Sequence, residues 1–199
     1  MYKIHKFETR EQWLEWRKHG IGGSDIPKLM NCSRFGDRLD LYLEKTNKVP
    51  TKIINHALHI AADMAEEQAR RKLLKEEVIK DELKPLNVEL IETPHIRCSL
   101  DGYNKEGVLM EHKMLGKDNF NAVCQALNNK AQYPELDSIL YQITYQAMII
   151  KPKRIILMIT EYTTKEIRAF ELDRKNLPGY IKIRNKVNKL WKQILSDRT

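Results

Sequence analysis

The apolar positions in the first eighty residues recur three or four residues apart, which is the spacing of amphipathic helices. Thr9 and Gln12 are spaced as a capping box, which predicts a helix that begins there and stops at Gly20. Three further helical patterns follow, and the last is long and carries a stripe of alanines on one side. The predicted helices cover residues 10–19, 25–30, 39–43 and 56–80.

After Pro85 the apolar positions alternate with a period of two, which is typical of β-strands. Two of these strands flank a turn at residues 102–107 and are expected to form a hairpin. An apolar helix over residues 138–150 and a closing amphipathic helix from Tyr180 complete the pattern. The predicted strands cover residues 88–91, 96–100, 108–114, 154–160 and 167–172. This order predicts an α/β fold, a mixed central sheet flanked by helices, in one domain over residues 1–199.

The charge of the chain favours an anionic partner. Thirty-five lysines and arginines stand against 27 aspartates and glutamates, a net charge of +8, and basic surfaces release counterions from nucleic-acid phosphates. The three cysteines are isolated, which fits a reducing compartment rather than a disulfide scaffold. Neither a signal peptide nor an apolar run of about 20 residues is visible. We therefore expect an intracellular, cytoplasmic protein without a membrane span.

Two carboxylates and one ammonium group are predicted to meet on the sheet. Side chains alternate along a strand, so Glu111 and Lys113 project from one side while His112 points away. If the hairpin pairs about Glu106, Asp101 lies opposite Glu111 on the neighbouring strand. Three charges between strands that otherwise belong to the core are costly unless they are paired or bound to a metal.

This combination suits phosphodiester hydrolysis. Carboxylates hold Mg²⁺, which lowers the pKa of a bound water, and a lysine beside it can orient or deprotonate that water. The alternative is an ordinary salt-bridged hairpin, with Glu111 and Lys113 paired on a solvated face. Glu66 favours the metal site because it follows the alanine stripe and could reach the sheet. Glu66 could equally belong to a solvated helix face, where the neighbouring charges form i,i+4 pairs.

Six motifs occur in a fixed order: Ile21-Gly22-Gly23-Ser24-Asp25, Leu39-Asp40-Leu41-Tyr42, Glu66 on a helix, Ser99-x-Asp101-Gly102, Glu111-x-Lys113 and Tyr141-Gln142. Each motif is weakly specific alone, but coincidence does not explain all six in order. Together they resemble the YqaJ-type viral recombinases, the lambda exonuclease-like branch of the PD-(D/E)xK nucleases. The resemblance covers roughly residues 13–151.

The resemblance implies a restriction-endonuclease-like core and Mg²⁺-dependent degradation of one strand of linear duplex DNA, 5′ to 3′ from an end, with Mn²⁺ able to substitute. It implies that Lys113 is the catalytic lysine and that Gln142 helps to orient the water or the lysine. Arg17 and Ser24 match the residues that bind the 5′-phosphate. The implied metal ligands are Asp101, Glu111, Glu66 and the backbone carbonyl of His112.

The turn at Ser24 has two interpretations. A glycine-rich turn before a helix presents N–H groups to an anion, and the Ser24 hydroxyl adds a donor. Alternatively, Ser24 only caps the short helix that follows. The partner of Ser24 is also open, because two residues separate Arg17 from Gly20 and Lys18 could take the place of Arg17.

The identity of the acidic residue on the long helix is also open. Ala62 takes the place of the glycine often found before the family's helix glutamate, and Glu67 takes the place of the proline that often follows it. Glu67 or Asp63 could therefore take the place of Glu66.

Three functions compete at this level. The first is an exonuclease that exposes single strands for recombination beside a single-strand annealing protein, with a ring-shaped homotrimer implied by the resemblance. The second is an endonuclease or a defence-related nuclease with the same chemistry. The third is a catalytically inactive DNA-binding module that uses the basic surface. The basic face of the last helix could follow phosphates or simply be solvated.

Overall fold

The centre of the computed structural model is a six-stranded sheet; the structure describes residues 1–49 and 56–198, with the backbone alone at 56 and 198. The strands, in their order across the sheet, are β1 (Tyr2–His5), β2 (Lys84–Leu90), β3 (Arg97–Tyr103), β4 (Val108–Leu115), β5 (Arg154–Glu161) and β6 (Ile167–Glu171). All neighbouring pairs are antiparallel except β4 and β5, which are parallel. A parallel neighbour requires a long crossover, and the helical residues between β4 and β5 provide it.

The helices are α1 (Arg10–Lys18), α2 (Ile26–Leu29), α3 (Arg38–Lys45), α4 (His56–Lys75), α5 (Lys117–Asn129), α6 (Pro134–Ile150) and α7 (Tyr180–Arg198). Thr9 and Gln12 form the predicted capping box of α1. The prediction that α4 extends to residue 80 is wrong. The helix ends at Lys75 because the chain turns at Glu77, whose φ of 55° is left-handed. None of the helices in the described ranges is long and apolar enough to cross a membrane.

Two elements were not predicted from the sequence. The first, β1, is a four-residue edge strand whose side chains are exposed or half-buried, so its hydrophobic pattern is weak. The second, α5, follows Gly116, which supplies no side-chain cap, so the start signal of a helix is missing. The local sequence therefore gives only a weak signal for either element, and tertiary contacts hold both in place.

Different helices cover the two faces of the sheet. On one face, Leu109 and Leu115 of β4 belong to a large apolar core that includes Ile143 of α6. On the other face, Met110 packs in a smaller core with Ala69 of α4. The buried alanines allow α4 to approach the sheet closely, as their stripe suggested. The predicted mixed α/β fold, a central sheet flanked by helices, is confirmed.

Candidate active site

The hairpin of β3 and β4 has the register predicted for pairing about Glu106. Its ladder pairs are Gly102 with Met110 and Tyr103 with Leu109. Beyond this ladder the two strands are joined through a side chain: Oδ2 of Asp101 accepts a hydrogen bond of 2.8 Å from the backbone N–H of His112. Asp101 is thus fixed to the strand that carries the other predicted site residues.

Glu111 and Lys113 lie on one face of β4, as predicted. Glu111 is 0% exposed, and its Oε1 accepts a hydrogen bond from the ammonium group of Lys113. Burial alone would lower the pKa of Lys113, but the charges of Glu111 and Asp101 outweigh burial and raise it. The lysine is therefore a firmly held cation in this arrangement. An ordinary solvated salt bridge does not describe the pair, because one partner is fully buried.

The surroundings of Asp101 disfavour its charged form, whereas those of Lys113 favour the charged form of the lysine. Burial raises the pKa of Asp101 well above its usual value, the neighbouring charge of Glu111 raises it further, and Lys113 opposes the rise. Two carboxylates of which one opposes the ionisation of the other favour either a shared proton or a cation. Asp101 and Glu111 therefore form a pair whose negative charge Lys113 offsets only in part.

His112 points to the other face of the sheet, as strand alternation predicted. Its Nε2 lies 2.8 Å from the hydroxyl oxygen of Thr160. Burial, together with the charges of Lys113 and Arg70, lowers the pKa of His112 to about 4. Its imidazole is therefore neutral at physiological pH and belongs to the supporting core. The metal-ligand role predicted for its backbone carbonyl stays a prediction.

Two glutamines from successive turns of α6 hold the carboxylate of Glu111. Gln142 donates from Nε2 to Oε1 of Glu111 at 2.5 Å, and its own Oε1 accepts from Lys113 at 3.0 Å. Gln146 donates from Nε2 to Oε2 of Glu111 at 2.6 Å. The contact predicted between Gln142 and the lysine is present. Gln146 was not predicted, although its i,i+4 spacing from Gln142 places both amides on one side of the helix.

Glu66 is the helix acid that belongs to this cluster. Its carboxylate pairs with Arg70, one turn further along α4. Burial raises the pKa of Glu66, Arg70 opposes the rise, and the charge of Glu111 adds to it. Arg70 also donates to the backbone carbonyl of Asp101 at 2.6 Å, so it joins α4 to β3. Arg70 was not predicted as part of the site.

The two alternatives to Glu66 are placed differently. Glu67 pairs with Arg70 at 2.7 Å and with Arg71 at 2.7 Å, and its side chain is 44% exposed. Asp63 is exposed on α4. Only Glu66, of these three acids, is among the charges that shift the pKa of Asp101.

The glycine-rich turn brings two cations to one buried carboxylate. Asp25 pairs with Lys45 at 2.8 Å and with Arg17 at 3.8 Å, and it accepts a hydrogen bond from the backbone N–H of Gly22 at 2.8 Å. Burial raises the pKa of Asp25, but Lys45 and Arg17 outweigh burial and hold it below its usual value. Asp25 is therefore ionised and has two cations beside it. Asp25 and Lys45 were not predicted as site residues.

The turn settles the contacts left open for Ser24. Its hydroxyl accepts a hydrogen bond of 2.8 Å from Nη2 of Arg17. The alternative that Ser24 caps the following helix is wrong, because neither the single 3₁₀ turn at Gly23–Asp25 nor α2 has Ser24 as its N-cap. Lys18 instead pairs with Glu15 at 3.0 Å. Arg17 and Ser24 thus lie together, although phosphate binding by them stays a prediction.

Helix α6 connects the turn with the acidic residues. Tyr145 donates from its hydroxyl to the backbone carbonyl of Ile21 at 2.7 Å. A methyl group built on Gly23 would lie 3.5 Å from Cγ of Gln142 and 3.6 Å from Cγ of Gln146. The same two glutamines that hold Glu111 therefore pack against the turn, and the two predicted sites are neighbours.

The donor set suits Mg²⁺, although no group of three or more His, Cys, Asp or Glu side chains in residues 1–49 and 56–198 is arranged to hold a metal ion. Mg²⁺ in proteins usually takes one or two carboxylates and keeps several waters. Asp101 and Glu111 provide two adjacent carboxylates, and the raised pKa of Asp101 indicates negative charge that a cation would relieve. Direct coordination by Glu66, which is paired with Arg70, stays a prediction.

The fold and this arrangement of side chains define the PD-(D/E)xK class, with the acid and the lysine two residues apart on one strand and a further acid on its neighbour. Within that class, the chain belongs to the family of the YqaJ-like viral recombinase domain, whose sequence model matches residues 12–163. The resemblance seen in the sequence is thereby confirmed. No match was found among curated protein sequences.

Solved structures with similar folds include exonucleases. LHK-Exo in complex with dAMP gives a TM-score of 0.66 at 14% identity, and the alignment covers 94% of each chain. The alkaline exonuclease LHK-Exo from Laribacter hongkongensis gives 0.64 at 15% identity, again over 94% of each chain. A phage-related exonuclease from Haemophilus somnus 129PT gives 0.54 at 13% identity, over 90% of this chain and 96% of that one. Identities this low establish the fold alone.

Proposed function

We propose that the protein is a Mg²⁺-dependent DNA exonuclease that degrades one strand of linear duplex DNA from its 5′ end and exposes the other strand for recombination. The observation that carries the proposal is the fully buried carboxylate of Glu111, held by Lys113 and two glutamines beside Asp101. Burying several charges is costly for a purely structural purpose. Membership of the recombinase family and the exonuclease names of the structural neighbours support the same reaction.

In this proposal Asp101 and Glu111 hold Mg²⁺, with Glu66 and the backbone carbonyl of His112 as further ligands; Mn²⁺ can substitute. When bound, the metal supplies Lewis acidity at the phosphate and lowers the pKa of a coordinated water. The remaining steps belong to the side chains of the chain itself.

Lys113 acts as a donor and a fixed cation at the reacting phosphate. Its ammonium group is held by Glu111 and by Oε1 of Gln142, 3.0 Å away, so its position is set before DNA arrives. A preorganised donor stabilises the charge that develops on the phosphate oxygens and orients the attacking water. Gln142 contributes by fixing both the lysine and the carboxylate.

In this proposal the neighbouring turn sets the direction of digestion. Arg17 and Ser24 are joined by a hydrogen bond of 2.8 Å, and the turn brings the cations of Arg17 and Lys45 together at Asp25. A terminal 5′-phosphate bound there would place the following phosphodiester near the acidic residues, because Gln142 and Gln146 lie beside both. Attack at a 5′ end, with preference for phosphorylated ends, is the consequence.

A linear duplex labelled at either end, with and without a 5′-phosphate, tests the proposal. We expect Mg²⁺-dependent release of nucleotides from 5′-phosphorylated linear DNA and no cutting of closed circles. Equal cutting of circles would replace the exonuclease with an endonuclease. DNA binding by the wild-type protein without any cleavage would favour a DNA-binding module.

The proposal includes a ring-shaped homotrimer and a single-strand annealing partner, both supported by the family relationship alone. The native mass of the purified chain in solution tests the trimer. A dimer or a monomer at the working concentration would remove it from the proposal without affecting the chemistry.

A further inference from the structure

Gln146 is a buried amide that is only half satisfied. Its side chain is 0% exposed, and Nε2 donates to Oε2 of Glu111 at 2.6 Å. Its Oε1 is buried and has no hydrogen-bond partner within the described part of the chain. A buried polar atom without a partner is costly, so such atoms are rare and call for an explanation.

Packing on α6 does not explain this amide. The neighbouring core positions of the same helix, Ile143, Ile149 and Ile150, are apolar and buried. An apolar side chain of similar volume at position 146 would avoid the unsatisfied carbonyl. The hydrogen bond to Glu111 is the contact that an apolar side chain could not provide.

The two glutamines of α6 donate hydrogen bonds to different oxygens of the Glu111 carboxylate. Gln142 donates to Oε1 of Glu111 at 2.5 Å and Gln146 donates to Oε2 at 2.6 Å. Oε1 also accepts a hydrogen bond from Lys113. In the described part of the chain, Oε2 receives its hydrogen bond from Gln146. A carboxylate held at both oxygens has its orientation fixed before any ligand binds, as is common for groups that support metal ligands.

We propose that Gln146 is a positioning residue that orients Glu111 for metal binding. The inference rests on the proposed function, in which Glu111 is a metal ligand, and adds a residue to it. Gln146 acts through Glu111, so its loss weakens metal binding and leaves the fold in place.

Binding of Mn²⁺ alone to the full chain without DNA, followed by electron paramagnetic resonance or calorimetry, tests this inference. Gln146→Met keeps the volume of the side chain but removes the donor. We expect Mn²⁺ to bind this variant about tenfold more weakly or worse, the usual effect of losing a residue that supports a ligand. Nuclease activity should fall at limiting metal and recover largely at saturating metal.

Thr144→Val is the matched control. Thr144 is buried on the same helix, and its hydroxyl donates to the backbone carbonyl of Leu140 at 2.7 Å rather than to Glu111. We expect the control to lose some thermal stability and to keep the wild-type affinity for Mn²⁺. Equal weakening in both variants would mean that the effect is structural and would overturn the inference.

The remaining outcomes separate this inference from the proposed function. Unchanged Mn²⁺ affinity in Gln146→Met would overturn the role of Gln146 and leave the nuclease proposal standing. A wild-type chain that binds no Mn²⁺ and releases no nucleotides would overturn both. If Gln146→Met does not fold, Gln146→Asn replaces it in the test. Asparagine carries the same amide on a side chain that is one methylene shorter, so the amide lies further from Glu111, and the same outcomes apply.

Discussion

Two charged clusters lie beside the same two glutamines of α6, Gln142 and Gln146, and they differ in their balance of acidic and basic side chains. The acidic cluster has three carboxylates and two cations: Asp101, Glu111 and Glu66 with Lys113 and Arg70. The basic turn has one carboxylate and two cations: Asp25 with Arg17 and Lys45. Of the residues named, the first cluster has one more carboxylate than cation, and the second has one more cation than carboxylate.

The difference indicates what each cluster binds. Charges buried only to stabilise a fold are expected to be neutralised by their partners, because an uncompensated charge near the core is costly. Here one cluster would be completed by a cation and its neighbour by an anion. A metal ion and a terminal phosphate have these two charges, and the same two glutamines of α6 lie beside both clusters.

Removal of the lysine should have the largest effect on activity. We expect Lys113→Ala to slow nucleotide release by about a thousandfold, within the range found for positioned acids, bases and charge-stabilising donors. The rate under single-turnover conditions measures the chemical step, and a DNA-binding assay on the same variant should give nearly the wild-type affinity. A variant that loses binding and cleavage together would mean that Lys113 binds DNA rather than acting in the reaction.

Removal of the buried charge in the basic turn should have the largest effect on stability. Asp25→Asn keeps an acceptor for the N–H of Gly22 but removes the carboxylate that pairs with Lys45 at 2.8 Å. Breaking a buried ion pair in this way costs about 3 kcal/mol or more. The pKa of Asp25 is held below its usual value, so its contribution to stability is complete above the unfolded pKa and is lost as pH falls through the lower pKa of the folded state.

Urea unfolding at pH 7 and in acid measures the effect of Asp25→Asn. Asp173→Asn is a suitable control, because that carboxylate forms a surface pair with Lys175 at 2.8 Å and such pairs contribute little. If Asp25→Asn unfolds no more readily than the control at pH 7, the buried pair does not stabilise the turn.

Removal of Arg17 tests whether the basic turn binds the 5′-phosphate of DNA. We expect its effect to be smaller than those of the two changes above. Arg17→Ala should reduce the preference for 5′-phosphorylated over unphosphorylated ends by about tenfold or more, since a hydrogen bond to a charged group contributes roughly 1.5–3 kcal/mol. Lys18→Ala is the adjacent control, because Lys18 pairs with Glu15. Competition between the two DNA ends in one reaction measures the ratio. An unchanged ratio in Arg17→Ala would place phosphate recognition elsewhere.

The two clusters also differ in how much of them the sequence could predict. Asp101, Glu111 and Lys113 lie on one hairpin, so local rules of alternation and register were sufficient to bring them together. In the basic turn, Lys45 reaches Asp25 from a separate helix, and neither residue was predicted. Gln146 and Arg70 were missed for the same reason, because their contacts depend on how α6 and α4 pack on the sheet.

The fold shows the same distinction between local and tertiary signals. Strong periodicity predicted the central strands and the long helices, and the capping box correctly marked the start of α1. The edge strand β1 and the uncapped helix α5 lack such signals and were missed. The family resemblance supplied Glu66, Gln142, Arg17 and Ser24, which residue patterns alone left open.

The last test contrasts the clusters through opposite responses to pH. In metal-free protein, the pKa of Asp101 is raised, first by burial and then by Glu111. Ionisation of Asp101 therefore destabilises the folded state as pH rises above the unfolded value of about 4. Asp101→Asn cannot ionise and still offers an acceptor to the N–H of His112, so it should melt at a higher temperature than wild type at pH 7 in the presence of a chelator.

The gain from Asp101→Asn should shrink towards pH 4, where the wild-type carboxyl is protonated, whereas Asp25→Asn should be less stable than wild type at pH 7. Melting curves of both variants across this range compare the clusters directly, with a sensitivity of roughly 2–4 °C per kcal/mol for a chain of this size. Added Mg²⁺ should stabilise wild type more than Asp101→Asn. The difference between their melting temperatures should therefore shrink or change sign when metal is added. A lower melting temperature for Asp101→Asn at pH 7 without metal would mean that the acidic cluster is already neutralised, and the argument for a bound cation would lose its electrostatic basis.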